Sequence, residues 1–183
     1  MTDLPRSVLP IPERVHVGVT TFDAKDPGTS FPPIEELRPP AGAPNVLVVL
    51  LDDVGFGASS AFGGPVDMPT AERLSNGGLR YNRFHTTALC APTRQALLTG
   101  RNHHSVRMGS ITELATSAPG QSSVRPKSCA PLAETLKLNG YSTAQFGKCH
   151  EGPTWQTSPM GPFDAWPTQS GFEYFYGFVC AET

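Results

Sequence analysis

The stretch Val46-Leu47-Val48-Val49-Leu50-Leu51-Asp52-Asp53-Val54-Gly55-Phe56-Gly57 decides the fold class. An unbroken apolar run ending in a polar, glycine-rich turn predicts a buried strand of a parallel sheet, because a strand covered on both faces has no solvent side to alternate with. Ligands of open α/β sheets gather beyond the carboxyl ends of strands, so Asp52 and Asp53 stand where a cation would be held. Adjacent side chains of an ideal strand point to opposite faces. Both carboxylates reach one ion only where the backbone unwinds, a bend that Gly55 and Gly57 permit. Taken alone, an Asp-Asp pair is also what loop solvation or helix capping produces.

Outward from this run the pattern stays α/β. A short helix is predicted around Thr70 to Asn76, another from Cys90 to Thr99, and a third from Leu132 to Asn139 closed by Gly140. Strands are predicted over Tyr141 to Phe146 and within Gly171 to Phe178, the latter with aromatic residues on both faces. Three strands are too few for a complete doubly wound sheet. Residues 1–43 differ in kind: Pro5, Pro10, Pro12, Pro27, Pro32, Pro33, Pro39 and Pro40 interrupt any period and predict an extended arm ahead of the α/β segment, 44–183.

In Ala88-Leu89-Cys90-Ala91-Pro92-Thr93-Arg94-Gln95-Ala96-Leu97-Leu98-Thr99-Gly100, Pro92 suits a first helical turn and Gly100 a helix end. Cys90 then lies where free N–H groups and the helix dipole favour negative charge. Arg94, one turn on, adds a permanent planar cation suited to oxyanions, and Leu97 and Leu98 are expected to pack the opposite side against a sheet. A cysteine there is equally the buried cap of an ordinary helix. Further on, Gly147-Lys148-Cys149-His150 sets a cation and an imidazole two residues apart, on one side of a strand's end.

The pattern Cys-x-Pro-x-Arg, two further residues, an apolar pair, Thr and Gly resembles the signature of the type I, formylglycine-dependent sulfatases. Gly147-Lys148-Cys149-His150 resembles their second signature, Gly-Lys-x-His. This arylsulfatase-like resemblance runs from about Pro44 to Thr183 and implies the N-terminal part of an alkaline-phosphatase-like α/β fold. It also implies that a formylglycine-generating enzyme, reading Pro92 and Arg94, converts Cys90 to formylglycine, whose hydrate is the nucleophile. By the same resemblance Arg94 and Lys148 stabilise the sulfate's charge, and His150 takes a proton from the hydrate. Asp52, Asp53 and modified Cys90 would be ligands of a divalent cation, usually calcium (Ca2+). The family's remaining ligands, a second His and a second Lys lie downstream, so the expectation is a truncated chain that leaves its small-molecule sulfate ester uncleaved. Within these residues His103, His104 or Glu113 are candidates for substitute ligands, and the two histidines read as surface residues. Two alternatives stay open, a phosphonate or phosphate monoester hydrolase of the same superfamily and an inactive fragment. Ala58, Phe146, Cys149 and Cys180 depart from the family's commoner residues.

With 14 Lys and Arg against 16 Asp and Glu, the net charge of −2 gives no support for nucleic-acid or anionic-membrane partners. No span approaches the ~20 apolar residues of a membrane helix, and Met1 to Pro5 does not open a secretory signal. A cytoplasmic location with reduced thiols at Cys90, Cys129, Cys149 and Cys180 is therefore expected. Cys129 should pack at a helix entry. Gly109 to Lys127 reads as a long loop near the site's mouth, and Trp155, Phe163 and Trp166 as pocket-lining residues or loop anchors.

Overall fold

A computed structural model describes residues 18–31 and 36–182. The chain forms two compact units, residues 1–36 and 37–183. In the first, Val19 and Ser30 exchange backbone hydrogen bonds of 3.1 and 3.0 Å in an isolated antiparallel bridge. The carboxylates of Asp23 and Asp26 accept from the N–H groups of Lys25 and Gly28 and hold the intervening turns. The rest of the expected arm, 1–17 and 32–35, lies outside the described residues.

The second unit contains α1 (Pro69–Gly77), α2 (Cys90–Thr99), α3 (Leu132–Lys137), β1 (Ala144–Lys148) and β2 (Tyr174–Phe178), with short 3-10 turns between them. Proline opens α1 at its first position, where no N–H is required. Helix α2 begins at Cys90 and ends at Gly100, whose φ of 64° is the left-handed cap that glycine adopts without a Cβ penalty. Helix α3 is shorter than expected. It stops at Lys137, and Gly140, at φ 87°, passes so close to the Arg38 backbone that a Cβ would collide with it.

Strands β1 and β2 pair in parallel, from Ala144 opposite Tyr174 to Lys148 opposite Phe178. The strand predicted over Tyr141 to Phe146 is thus displaced toward Lys148. Thr143 fixes its start, donating its hydroxyl to the Gly171 carbonyl at 2.7 Å and its N–H to Glu173 at 3.1 Å. The N–H of Cys149 donates to Phe178 at 2.8 Å, prolonging the ladder past Lys148 and pinning the turn that follows. Parallel strands need a crossover. Here 149–173 supplies it, anchored by edge-on contacts of Phe163 with Trp166 and of Trp166 with Phe175, while Trp155 is exposed.

Two expectations about burial are corrected. Val46 to Leu51 has no strand partner among the described residues, and its side chains are exposed, Leu47 by 87%. Apolar composition makes burial favourable but supplies neither the neighbouring strand nor the hydrogen bonds a sheet requires. Leu97 is exposed and Leu98 half-buried; α2 instead turns Ala91, Pro92, Arg94 and Gln95 inward. The space behind the helix is filled by the end of β1 and its following turn, which offer the carbonyls of Lys148 and Glu151 rather than an apolar sheet face. The core proper is small: Ala91, Val106, Met108 and Cys129, with Ile111 against it. Cys129 packs just ahead of α3, as expected.

Candidate active site

Cys90 occupies the first residue of α2, half-buried, with its neighbour Ala91 locked in the core. Its Sγ lies 3.1 Å from Nδ1 of His150, which the Cys149–Phe178 hydrogen bond holds beyond the end of β1. His150 is fully buried, so its ring must satisfy both nitrogens inside the protein. Nε2 meets the Glu113 carboxylate at 2.8 and 3.0 Å. Glu113 sits in the 3-10 turn Thr112–Leu114, and the Thr112 hydroxyl donates to it at 3.2 Å. Burial opposes ionisation of Glu113, yet hydrogen bonds from its own turn and from His150 outweigh it and hold the carboxyl below its ordinary range.

Arg94, one turn along α2 from Cys90, is buried and joins three segments. Its Nη1 donates to the Lys148 carbonyl at 2.7 Å and its Nη2 to Asp52 Oδ1 at 3.1 Å, while Nε is enclosed without a partner. Lys148 Nζ donates to the other Asp52 oxygen at 2.6 Å. Two cations therefore converge on the two oxygens of one carboxylate. The hydrogen bond from Lys148 lowers the Asp52 pKa; for Lys148, desolvation is outweighed by the hydrogen bond to Asp52 and the pKa is raised.

Asp53 stands apart from this cluster. Its φ of 53° unwinds the chain as the two-carboxylate reading requires, but no hydrogen bond or ion pair draws it in among the described residues. No three His, Cys, Asp or Glu side chains come together as a metal cluster among those residues. The rings of His103 and His104 pack against each other, 4.3 Å between centres and tilted by 40°.

Beneath the site, Cys149 donates to Glu151 Oε2 at 2.7 Å and Gln95 Nε2 to the Glu151 carbonyl at 3.1 Å. Burial pushes both the Cys149 thiol and the Glu151 carboxyl up, and Glu151 adds to the shift of the thiol. The Cys149–Glu151 contact is not read from the sequence, which offers Glu113 only as a substitute ligand and not as a partner of His150, because that contact spans 37 residues. The one signal for Glu113 is its standing as the only acidic residue between Gly109 and Lys127.

The family described as "Sulfatase" matches residues 44–183, a span holding both signatures and every contact of this cluster. The chain belongs to the sulfatase family. Arylsulfatase A of Bos taurus is 37% identical over 139 residues, 75% of this chain and 25% of that protein. Steryl-sulfatase of Homo sapiens is 35% identical over 142 residues, 75% of this chain and 24% of that one. The crystal structure of Ps i-CgsB superposes with a TM-score of 0.50 at 27% identity, covering 71% of this chain and 27% of that one. The fold is thus the alkaline-phosphatase-like α/β fold of the sulfatases, represented by a small parallel sheet with flanking helices. This sulfatase chain spans about a quarter of the length of the curated relatives it matches. Among its described residues no helix is long and apolar enough to cross a membrane.

Proposed function

We propose that this sulfatase chain carries the nucleophile and anion clamp of a hydrolase acting on small-molecule sulfate esters, aryl sulfates foremost. One observation carries the reading: Cys90 opens α2 with His150 Nδ1 at 3.1 Å, while Arg94 and Lys148, from separate elements, converge on a single carboxylate. Converted to formylglycine by a formylglycine-generating enzyme, position 90 supplies a hydrated aldehyde, one hydroxyl of which attacks sulfur and displaces an alcohol or phenol. The half-burial of Cys90 in the first turn of α2, with Sγ 3.1 Å from His150 Nδ1, supports a hydrate there within reach of His150.

Arg94 and Lys148 stabilise the charge that spreads over the sulfate oxygens during transfer. Their grip on both oxygens of Asp52 is the geometry an oxyanion would exploit. His150 Nδ1 accepts the proton of the second hydroxyl as the bond between sulfate and position 90 breaks, which returns the aldehyde. Asp52 and Asp53 are the acidic groups a divalent cation would meet. The described residues do not complete a calcium site, since calcium takes about six to eight oxygen ligands and both Asp52 oxygens are already engaged.

The test is chemical and needs no turnover. When the chain is co-expressed with a formylglycine-generating enzyme, mass spectrometry of the peptide spanning position 90 shows an aldehyde, and Cys90→Ala shows none. A peptide that remains wholly a thiol where a control substrate is converted sinks the reading. The converted chain is then assayed with aryl sulfate and aryl phosphate side by side. Preference for phosphate would move the protein to a phosphate monoester hydrolase.

A further inference from the structure

The structure assigns Glu113 as a positioning residue: its carboxylate fixes the ring of His150 with Nε2 as donor and so turns a bare Nδ1 toward position 90. The inference deepens the sulfatase reading and rests on it for its catalytic meaning. His150 is fully buried, and its ring is held at both ends, Nε2 by both Glu113 oxygens at 3.0 and 2.8 Å and Nδ1 by Cys90 Sγ at 3.1 Å. A carboxylate accepts only, so the nitrogen facing Glu113 must carry the proton. In the neutral imidazole the other nitrogen is then an acceptor, the state needed to take a proton from a hydroxyl at position 90.

Glu113 is itself restrained. It lies in the 3-10 turn Thr112–Leu114, Thr112 is buried beneath it, and the Thr112 hydroxyl donates to Oε2. Ile111, just ahead of that turn, packs on the core that holds Ala91. One small core therefore fixes both ends of the Cys90, His150, Glu113 series. The arrangement follows the logic by which a carboxylate orients a histidine next to a nucleophile. Glu113 touches neither Arg94 nor Lys148, so its role is separable from anion binding.

The 183-residue chain, labelled with 15N in its histidine rings, tests this at a pH where the ring is neutral. His150 should show a downfield, slowly exchanging Nε2–H proton and an unprotonated Nδ1. In Glu113→Ala that resonance should vanish through exchange with solvent. In Glu113→Gln it should persist but move upfield, because a neutral amide accepts more weakly than a carboxylate. A persistent, unshifted Nε2–H in either variant, or a proton on Nδ1 in the unaltered chain, overturns the inference. Should Glu113→Ala not fold, Glu113→Gln decides alone. The resonance is read without sulfate turnover, so its outcome bears on Glu113, whereas failure to convert Cys90 bears on the sulfatase reading.

Discussion

Val46 to Leu51 and the series Arg94, Gln95, His150 and Glu151 invert the usual rule of burial. The first is a purely aliphatic run, exposed throughout; the second is polar or charged, and every member is buried. The difference lies in partners. Each of these side chains finds at least one hydrogen-bond complement across the fold, although Arg94 Nε and Gln95 Oε1 are left without one: Arg94 on the Lys148 carbonyl, Gln95 on Glu151, His150 between Cys90 and Glu113. The aliphatic run has no facing strand among the described residues. Burial therefore follows the availability of complementary surface, and transfer free energy acts only where such a surface exists.

The sharpest way to break that comparison is to cut into each region. Met108→Ala, in the core under Cys90, is expected to cost about 2–5 kcal/mol, whereas Val48→Ser should stay within about 0.5 kcal/mol. Urea denaturation of the two variants checks this, and comparable losses would show that the exposed run is packed in solution. Helix α2 offers the same contrast on one element. Arg94→Ala strands the Lys148 carbonyl and half of Asp52, for an expected loss of about 1–3 kcal/mol, while Leu97→Ala should be close to silent.

Glu151 sharpens the comparison through pH. Burial raises its folded pKa above the ordinary carboxylate range. The native state then binds more protons than the unfolded one between the unfolded and folded values. Its favourable contribution is complete below the unfolded pKa and is lost as pH rises through the folded one. Glu151→Gln keeps an acceptor for the Cys149 thiol and removes that titration, so its urea midpoint should exceed that of the unaltered chain at neutral pH and fall less with rising pH. Equal slopes would mean that Glu151 ionises without penalty.

The smallest effect is expected from calcium. With Asp53 outside the cluster and Asp52 held by two cations, millimolar calcium should raise stability by less than about 0.5 kcal/mol, as thermal denaturation with and without the ion would show. A large shift, lost in Asp52→Ala, would mean that the turn after the exposed run closes on the ion.

Much of the site was legible in the sequence wherever chemistry is local. Pro92 and Gly100 bracket α2 because one lacks a donor and the other lacks a Cβ, and the spacing of Cys90 and Arg94 puts them one turn apart. Lys148 and His150 sit at the end of β1 as their spacing predicts, although the strand itself begins later. Glu113 was legible only as a substitute ligand and not as the partner of His150, because that contact spans 37 residues and depends on where a loop folds back.

By itself, then, the sequence determined the start and end of α2 and the placing of Cys90 and Arg94 one turn apart, since these follow from backbone sterics and helix geometry. Only the tertiary structure decided which groups meet: Arg94 with Asp52, His150 with Glu113, Gln95 with Glu151, and the aliphatic run with no strand partner among the described residues. Such meetings depend on long-range packing, where one complementary surface wins over others of similar composition, and residue spacing along the chain does not encode that choice.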